Sequence, residues 1–497
     1  MPFRSDKSIF PLFRLRQARH PVRRFFLTAS GSPAVLASLR ARSGADTLPV
    51  TPLTSDQLAP WLKSQPTATA AWTSSTGFTA EPGRICLVGG ENGRLARVLV
   101  GLATEDDPWA YAALPGALPA GSYRIDADLG PQAANRAAFG WTLGSYTFTR
   151  YRSSDKMLPV LVWPKGSERA AVERAAGATL FVRDLVNTPA SDLGPAELAD
   201  VAQALIEEFE GTLKIITGAE LLAQNYPAIH AVGRASTREP RLIDFTWGRR
   251  TDPKVTLVGK GVCFDSGGLD LKSSANMLLM KKDMAGAAHA LGLARMIMMA
   301  GLPIRLRVLI PAVDNVISGN ALRPLDVITT RKGPTVEVGN TDAEGRLILA
   351  DTLAEADREK PDLLIDFATL TGAARAALGT EIPALFSNNE SAASHLLAAG
   401  DATHDPLWRL PLWQPYRRGL ESKVADLSTV ASHGHAGAII GALFLETFVS
   451  QETPWVHLDL MGWNTTSRPG RPEGGEAQGL RAAYELIERR FGGSRPA

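Results

Sequence analysis

Asn340-Thr341-Asp342-Ala343-Glu344-Gly345-Arg346 is the stretch on which the fold and chemistry of this chain turn. The alternating residues 335–338 before it read as a strand, and residues 347–360 after it carry apolar side chains at helical spacing. The heptad is therefore expected as a loop at a strand end. Asp342 and Glu344 stand two apart, so an extended backbone points both carboxylates to one side, and Gly345 allows a sharp turn that brings Arg346 beside them. A loop rich in Asp, Asn and Gly is by default a surface turn, but two like charges this close call for a cation.

A second charged stretch decides between those readings. Gly259-Lys260-Gly261-Val262-Cys263-Phe264-Asp265-Ser266-Gly267-Gly268 follows the apolar residues 255–258, and the chain continues through Lys272 to Met280-Lys281-Lys282-Asp283. Read as a loop, it projects Lys260 and Asp265 from a strand end. Asp283 opens an Ala-rich helical pattern over 285–300, where an acid is as readily an N-cap as a ligand. Together the two stretches supply the acids Asp265, Asp283, Asp342 and Glu344 and the bases Lys260, Lys272 and Arg346. Four converging carboxylates with no histidine repel one another unless two divalent cations lie between them, the arrangement of two-metal hydrolases. Oxygen ligands suit Mn²⁺ or Mg²⁺, and Zn²⁺ also accepts them. A lysine beside two cations is driven toward the neutral amine and becomes a ligand itself, and Lys260 is the candidate.

The rest of the chain frames that site. Its 497 residues exceed one ordinary core, so two domains are expected, 1–165 and 166–497. With 45% hydrophobic and 21% charged residues it reads as a soluble globular protein, and no apolar run is long enough to span a bilayer. A net charge of +2 implies no general polyanion partner, and two cysteines are too few for a disulfide framework, which fits a reducing cytoplasm. Residues 1–42 carry nine Arg or Lys against the single acid Asp6, read as a solvated basic tail, with an organelle presequence or a nucleic-acid arm as the alternatives. Short strands and helices over about 48–162 suggest a small α/β domain of structural or regulatory role, with no chemistry of its own. A helix over 167–186 connects it to strands expected near 214–216, 255–258, 305–310, 363–367 and 456–460, with helices at 285–300, 347–360 and 436–449 between them. Such alternation predicts an α/β fold, a larger C-terminal mixed sheet flanked by helices on both faces.

These motifs resemble the leucine aminopeptidase family, the M17 dinuclear metallopeptidases, whose hallmark is this same heptad. The segments Val258-Gly259-Lys260-Gly261, Phe264-Asp265-Ser266-Gly267-Gly268, Leu185-Val186-Asn187-Thr188-Pro189, Ala368-Thr369-Leu370-Thr371-Gly372-Ala373 and Arg468-Pro469-Gly470-Arg471-Pro472 also match. Coverage is strong over about 180–490 and weak over the N-terminal third. The resemblance implies that Asp265 and Glu344 bridge two metals, that Asp342 completes one site, and that Lys260 and Asp283 complete the other. It implies that Lys272 polarises the scissile carbonyl and that Arg346 holds a bicarbonate serving as proton shuttle. Met280, Thr369, Leu370 and Gly372 would contact the substrate. The implied reaction is attack of a metal-bound hydroxide on the first peptide bond of peptide substrates, with leucine-like preference, in a cytoplasmic homohexamer with no membrane partner.

Several positions depart from the family pattern: Leu325 and Ala285 stand where Gly is common, and Ser273-Ser274-Ala275-Asn276 and Asp459-Leu460-Met461-Gly462-Trp463 are altered loops. None removes an expected ligand. Ser266 and Cys263 are alternative nucleophiles, weakened by the absence of Gly-x-Ser-x-Gly and of a nearby His. His433 and His435 read as loop residues. A nucleic-acid-binding regulator on a peptidase scaffold is the alternative function.

Overall fold

The computed structural model describes residues 37–90, 93–155 and 157–493, so the basic stretch 1–42 lies almost wholly outside the described residues. Runs rich in Val, Leu and Ile, punctuated by Gly and Pro turns, form the first sheet. Its strands are β1 (Leu39–Arg40), β2 (Leu48–Leu53), β3 (Ile85–Gly89), β4 (Leu95–Gly101), β5 (Ser122–Ile125) and β6 (Val160–Val162). They lie in the order β1-β6-β5-β2-β4-β3, parallel except for β3, which runs antiparallel to β4. Val50, Val98, Tyr123 and Leu161 from the sheet and Tyr111 and Trp141 from its covering helices make the core.

The Ala-rich helix Arg169–Asn187 serves both halves of the molecule. Val172, Ala176 and Leu180 pack into the first core, whereas Phe181, Val182 and Leu185 pack into the next. Near its end the fully buried Arg183 meets Glu476 at 3.0 Å and donates to Gly470 O at 2.6 Å, tying the helix to the C-terminal segment.

Downstream the strands are β7 (Thr212–Thr217), β8 (Arg241–Trp247), β9 (Lys254–Gly259), β10 (Gly261–Asp265) and β11 (Arg305–Asn315). After them come β12 (Val327–Thr329), β13 (Thr335–Glu337), β14 (Leu363–Ala368), β15 (Ala384–Ser387), β16 (Trp408–Arg409), β17 (Leu427–Ser428) and β18 (Trp455–Asp459). Nine of these form one mixed sheet in the order β16-β15-β18-β14-β9-β11-β8-β7, with β10 paired to β11. Its centre, β18-β14-β9-β11, is parallel, while β8 pairs antiparallel to β11 and β7, and β15 pairs antiparallel to β18 and parallel to β16. Val255 and Leu257 face one core with helix Ala285–Ala300, and Val258 faces the other with helices Glu344–Asp357 and Gly437–Glu446. Helices thus cover both faces, as the alternating pattern predicts. Among the described residues no helix is long and apolar enough to cross a membrane.

The expected loop over 259–268 is corrected by the sheet. β11 is long enough to pair with β9 over Arg305 to Leu309 and then with β10 over Ala312 to Asn315. The ladder on β11 satisfies the backbone of a glycine-rich segment whose own propensity for a strand is poor, so tertiary pairing overrides the local signal.

Candidate functional site

The carboxyl ends of the parallel strands deliver the charged residues to one edge of the sheet. Lys260 follows β9, Asp265 closes β10, Asn315 closes β11, Thr369 follows β14 and Asp459 closes β18. Ligands in open α/β sheets gather at this edge. The heptad reaches it from β13, which pairs with β12 and β17 in a separate three-stranded sheet.

The heptad is not extended throughout. Asn340 Oδ1 accepts from Asp342 N at 2.7 Å in a turn, and the helix Glu344–Asp357 begins inside the motif. Glu344, Gly345 and Arg346 are therefore its first turn, where an acid suits the positive end of the helix dipole. Gly345 is not a hinge: a Cβ there would lie 2.5 Å from Lys260 Cε and 2.8 Å from Lys260 Nζ. Its missing side chain makes room for the lysine.

Asp265, Asp342 and Glu344 bring one carboxylate oxygen each within 4.8 Å of one another. Two ammonium groups lie among the acids. Lys260 Nζ is 2.7 Å from Asp283 Oδ2 and 2.9 Å from Glu344 Oε1, and Lys272 Nζ is 2.9 Å from Asp265 Oδ2 and also paired with Asp342 Oδ1. Asp283 is thus joined to the cluster through Lys260. It does not cap helix Ala285–Ala300, because Oδ1 accepts from Thr369 Oγ1 at 2.6 Å while Oδ2 takes the lysine.

Burial, reinforced by the charge of Asp265, pushes the Glu344 and Asp342 carboxyls well above the ordinary range. For Lys260 burial acts downward, yet Asp283, Glu344 and Asp265 together push the amine up. Asp283 goes the other way from its fellow acids: burial would raise it, but Lys260 and Lys282 hold it low. Four carboxyl groups thus face two ammonium groups, and Glu344 and Asp342 answer the crowding by holding protons more tightly.

Backbone and side-chain bonds that sequence reasoning did not single out fix this geometry. Asn315 Nδ2 donates to Asp265 Oδ1 at 2.8 Å and to Thr341 O at 3.1 Å, linking the second charged stretch to the heptad. Thr341 N donates to Asp270 Oδ2 at 2.7 Å, and Asp270 N donates back to Thr341 Oγ1 at 2.8 Å. Asp459 Oδ1 accepts from the Leu370 and Thr371 amides at 2.9 and 3.2 Å, and Oδ2 accepts from Thr371 Oγ1 at 2.6 Å, so it holds the 369–372 loop in place. Asn315 and Asp459 close β11 and β18, and that position is the structural reason they reach the site.

A cavity of about 710 Å³ opens over the cluster, and all eleven sequence-derived site residues line it: Lys260, Asp265, Lys272, Met280, Asp283, Asp342, Glu344, Arg346, Thr369, Leu370 and Gly372. Lys282 and Arg375 line it too. Burial pushes the Lys282 amine down to about 8, with Asp283 opposing and Arg375 adding to that shift. Arg346 is buried, its Nη1 donates to Thr429 O, and its Nε has no hydrogen-bond partner among the described residues.

The alternative nucleophiles do not fit. Ser266 Oγ donates to Asn315 O at 2.9 Å within the loop, and Cys263 is buried, which pushes its thiol up. His433 and His435 are exposed, their rings stacked 6.4 Å apart.

The donor set fits divalent cations. Both carboxylate oxygens of Glu344 are buried and without a hydrogen-bond partner among the described residues, Oε1 meeting Lys260 only as an ion pair. A buried carboxylate left this way is costly unless positive charge is supplied to it.

Known proteins bear on the same residues. A profile of the cytosol aminopeptidase family catalytic domain matches residues 180–484, and one of the M17 aminopeptidase N-terminal domain matches 48–164. The second extends the likeness over the part of the chain where the motifs alone were weak. A probable cytosol aminopeptidase of Roseiflexus castenholzii is 41% identical over 367 residues, covering 70% of this chain and 75% of its own length. One from Syntrophotalea carbinolica is 40% identical over 375 residues, with 72% and 75% covered. The crystal structure of cytosol aminopeptidase from Coxiella burnetii superposes with a TM-score of 0.88 at 49% identity, over 92% of this chain and all 100% of that one. The bottromycin maturation enzyme BotP, in complex with Mn, does so with a TM-score of 0.81 at 35% identity, over 90% and 100%. With both of its domains matched by family profiles, this chain belongs to the M17 cytosol aminopeptidase family and is a metallo-aminopeptidase.

Proposed function

We propose that the chain releases N-terminal amino acids from peptides with two divalent cations per subunit, Mn²⁺ or Zn²⁺, with Mg²⁺ as a further candidate, held by Lys260, Asp265, Asp283, Asp342 and Glu344. The observation that carries this is the meeting of Asp265, Asp342 and Glu344 within 4.8 Å around a buried Glu344 carboxylate whose Oε1 meets only Lys260 and whose Oε2 has no partner among the described residues. Asp265, Glu344 and Asp342 would hold one cation, and Asp265, Glu344, Lys260 and Asp283 would hold the other. The Mn in the BotP complex supports manganese as the first ion to test. When bound, the cations supply an activated water for attack on the first peptide bond and an anchor for the free amine of the substrate.

The chain's own residues do the rest. Lys272 brings a fixed positive charge to the carbonyl oxygen as negative charge develops there. Arg346 holds a bicarbonate that shuttles the proton; its buried, unpartnered Nε favours an anion. Such a shuttle is needed because Asp265, Asp283, Asp342 and Glu344 are all engaged as ligands. Met280, Thr369, Leu370 and Gly372 contact the first residue of the substrate, and the apolar Met280 and Leu370 suit a leucine-like side chain.

In this proposal the domain boundary is placed near residue 165, ahead of the connecting helix, with 1–165 structural or regulatory, and the cytoplasmic homohexamer is taken from the resemblance to the family. The basic residues 1–36 are outside the described residues, and no observation favours the nucleic-acid alternative. Hydrolysis of leucine anilide and of its N-acetylated form by metal-loaded enzyme tests the reading. Cleavage of the free-amine substrate alone is expected, and equal cleavage of both would refute an aminopeptidase.

A further inference from the structure

The 3₁₀ turn Met280–Met284 carries two adjacent lysines with opposite fates. Lys281 is satisfied: its Nζ donates to Asn187 O at 2.7 Å and lies 5.4 Å from the centre of the Trp463 ring. Lys282 is 1% exposed, lines the substrate cavity, and its Nζ has neither a hydrogen-bond acceptor nor an ion-pair partner among the described residues. The acids that act on it are already engaged. Asp283 gives one oxygen to Thr369 and the other to Lys260, and Asp459 gives both of its oxygens to the 370–371 segment. Arg375 lines the same cavity without an ion pair among the described residues, its guanidinium bonded only to Thr371 O at 3.4 Å. The Lys282 ammonium opens to the cavity with no acceptor of its own among the described residues, and the carboxylate of a ligand would supply one.

The walls beside Lys282 say which ligand. Met280 and Leu370 line the cavity with apolar surface, and Lys282 and Arg375 line it with positive charge. A side chain with a methylene stem and a terminal carboxylate matches both parts. We propose that Lys282, backed by Arg375, is a specificity-determining residue that admits glutamate as the first residue of the peptide, beside the leucine-like side chains that Met280 and Leu370 suit. This rests on the aminopeptidase reading of the same cavity.

The test is the ratio of kcat/KM for glutamyl anilide to that for leucyl anilide, measured on the full-length, metal-loaded enzyme and on Lys282→Met, which keeps the apolar stem. Because the readout is a ratio, any general loss of activity in the variant cancels. The ratio is expected to fall at least about tenfold, the scale of one charge-assisted hydrogen bond lost from a buried site. Leucyl turnover with an unchanged ratio would overturn the proposal and leave the aminopeptidase reading standing, whereas cleavage of neither anilide by the unmodified enzyme would overturn both. Should Lys282→Met not fold, the unmodified enzyme decides: glutamyl anilide is expected to be cleaved with a higher kcat/KM than the isosteric, uncharged glutaminyl anilide, and a lower value overturns the proposal.

Discussion

Gly345 and Lys260 share one volume: a single added carbon on Gly345 would come within 2.5 Å of Lys260 Cε. The first turn of helix Glu344–Asp357 and the residue after β9 are therefore fitted to each other, and the lysine is held where it meets both Asp283 and Glu344. Gly345→Ala is expected to leave the helix intact, since Ala is the better helix former, and to displace Lys260. A misplacement on the ångström scale costs on the order of 100-fold in turnover. Steady-state kinetics beside a thermal melt check this: activity should drop while Tm moves little.

Lys272 reaches Asp265 and Asp342 from the cavity wall and completes neither proposed metal site. Lys272→Ala should keep its metal and lose roughly 100- to 1,000-fold in kcat, as removal of a charge stabiliser does. Metal analysis of the purified variant separates this from ligand loss, and a metal-free variant would move Lys272 into the ligand set.

Asn315 touches no substrate-contacting residue, yet it holds both Asp265 and the Thr341 carbonyl. Asn315→Ala is expected to weaken Mn²⁺ affinity by about 10- to 100-fold, the usual cost of losing a partner that orients a ligand. Calorimetric titration with Mn²⁺ measures it, and an unchanged affinity would show that β10 alone fixes Asp265.

The raised carboxyls of Glu344 and Asp342 bind protons that a metal must displace. Mn²⁺ affinity should therefore climb as pH rises from the ordinary carboxylate range toward the raised values, then level off. The stability of metal-free protein runs the other way. A carboxyl whose folded value lies above its unfolded one stabilises the fold while protonated, and that contribution is lost as pH rises through the folded value. Melting curves from acid to neutral pH, with and without Mn²⁺, should diverge as pH rises.

The buried pair Arg183–Glu476 joins the connecting helix to the C-terminal segment at 3.0 Å. Removing one partner of such a pair leaves the other charge uncompensated, at about 3 to 5 kcal/mol. Arg183→Ala should lower Tm by several degrees, and Arg183→Ala with Glu476→Ala together should lower it by less than the sum of the two single changes.

How far the sequence could be read depended on where the physical constraint lies. Asp342, Glu344, Asp265 and Lys260 were legible because paired acids and a glycine-flanked lysine at strand ends have few other uses. β10 was not, because Gly261 weakens any strand signal and the pairing that makes one is supplied by β11, more than forty residues later. The end of β11 was missed for a related reason: Pro311 and Asp314 break its apolar run, although pairing carries the strand on to Asn315. Gly345 was read as a turn because spacing shows a glycine's freedom and not the neighbour that needs its space. Nothing in the sequence sets Lys282 apart from the lysine beside it; the tertiary packing of the 3₁₀ turn is what buries it.

The central claim is that Glu344 joins two metals and that catalysis depends on them. Metal content after equilibrium dialysis against Mn²⁺, taken together with leucine anilide turnover, tests it in the unmodified protein and in Glu344→Ala. Two ions per chain in the former, with loss of both tight binding and turnover in the latter, is the predicted result. A Glu344→Ala protein that keeps two tightly bound ions, or that turns over at an undiminished rate, would contradict it.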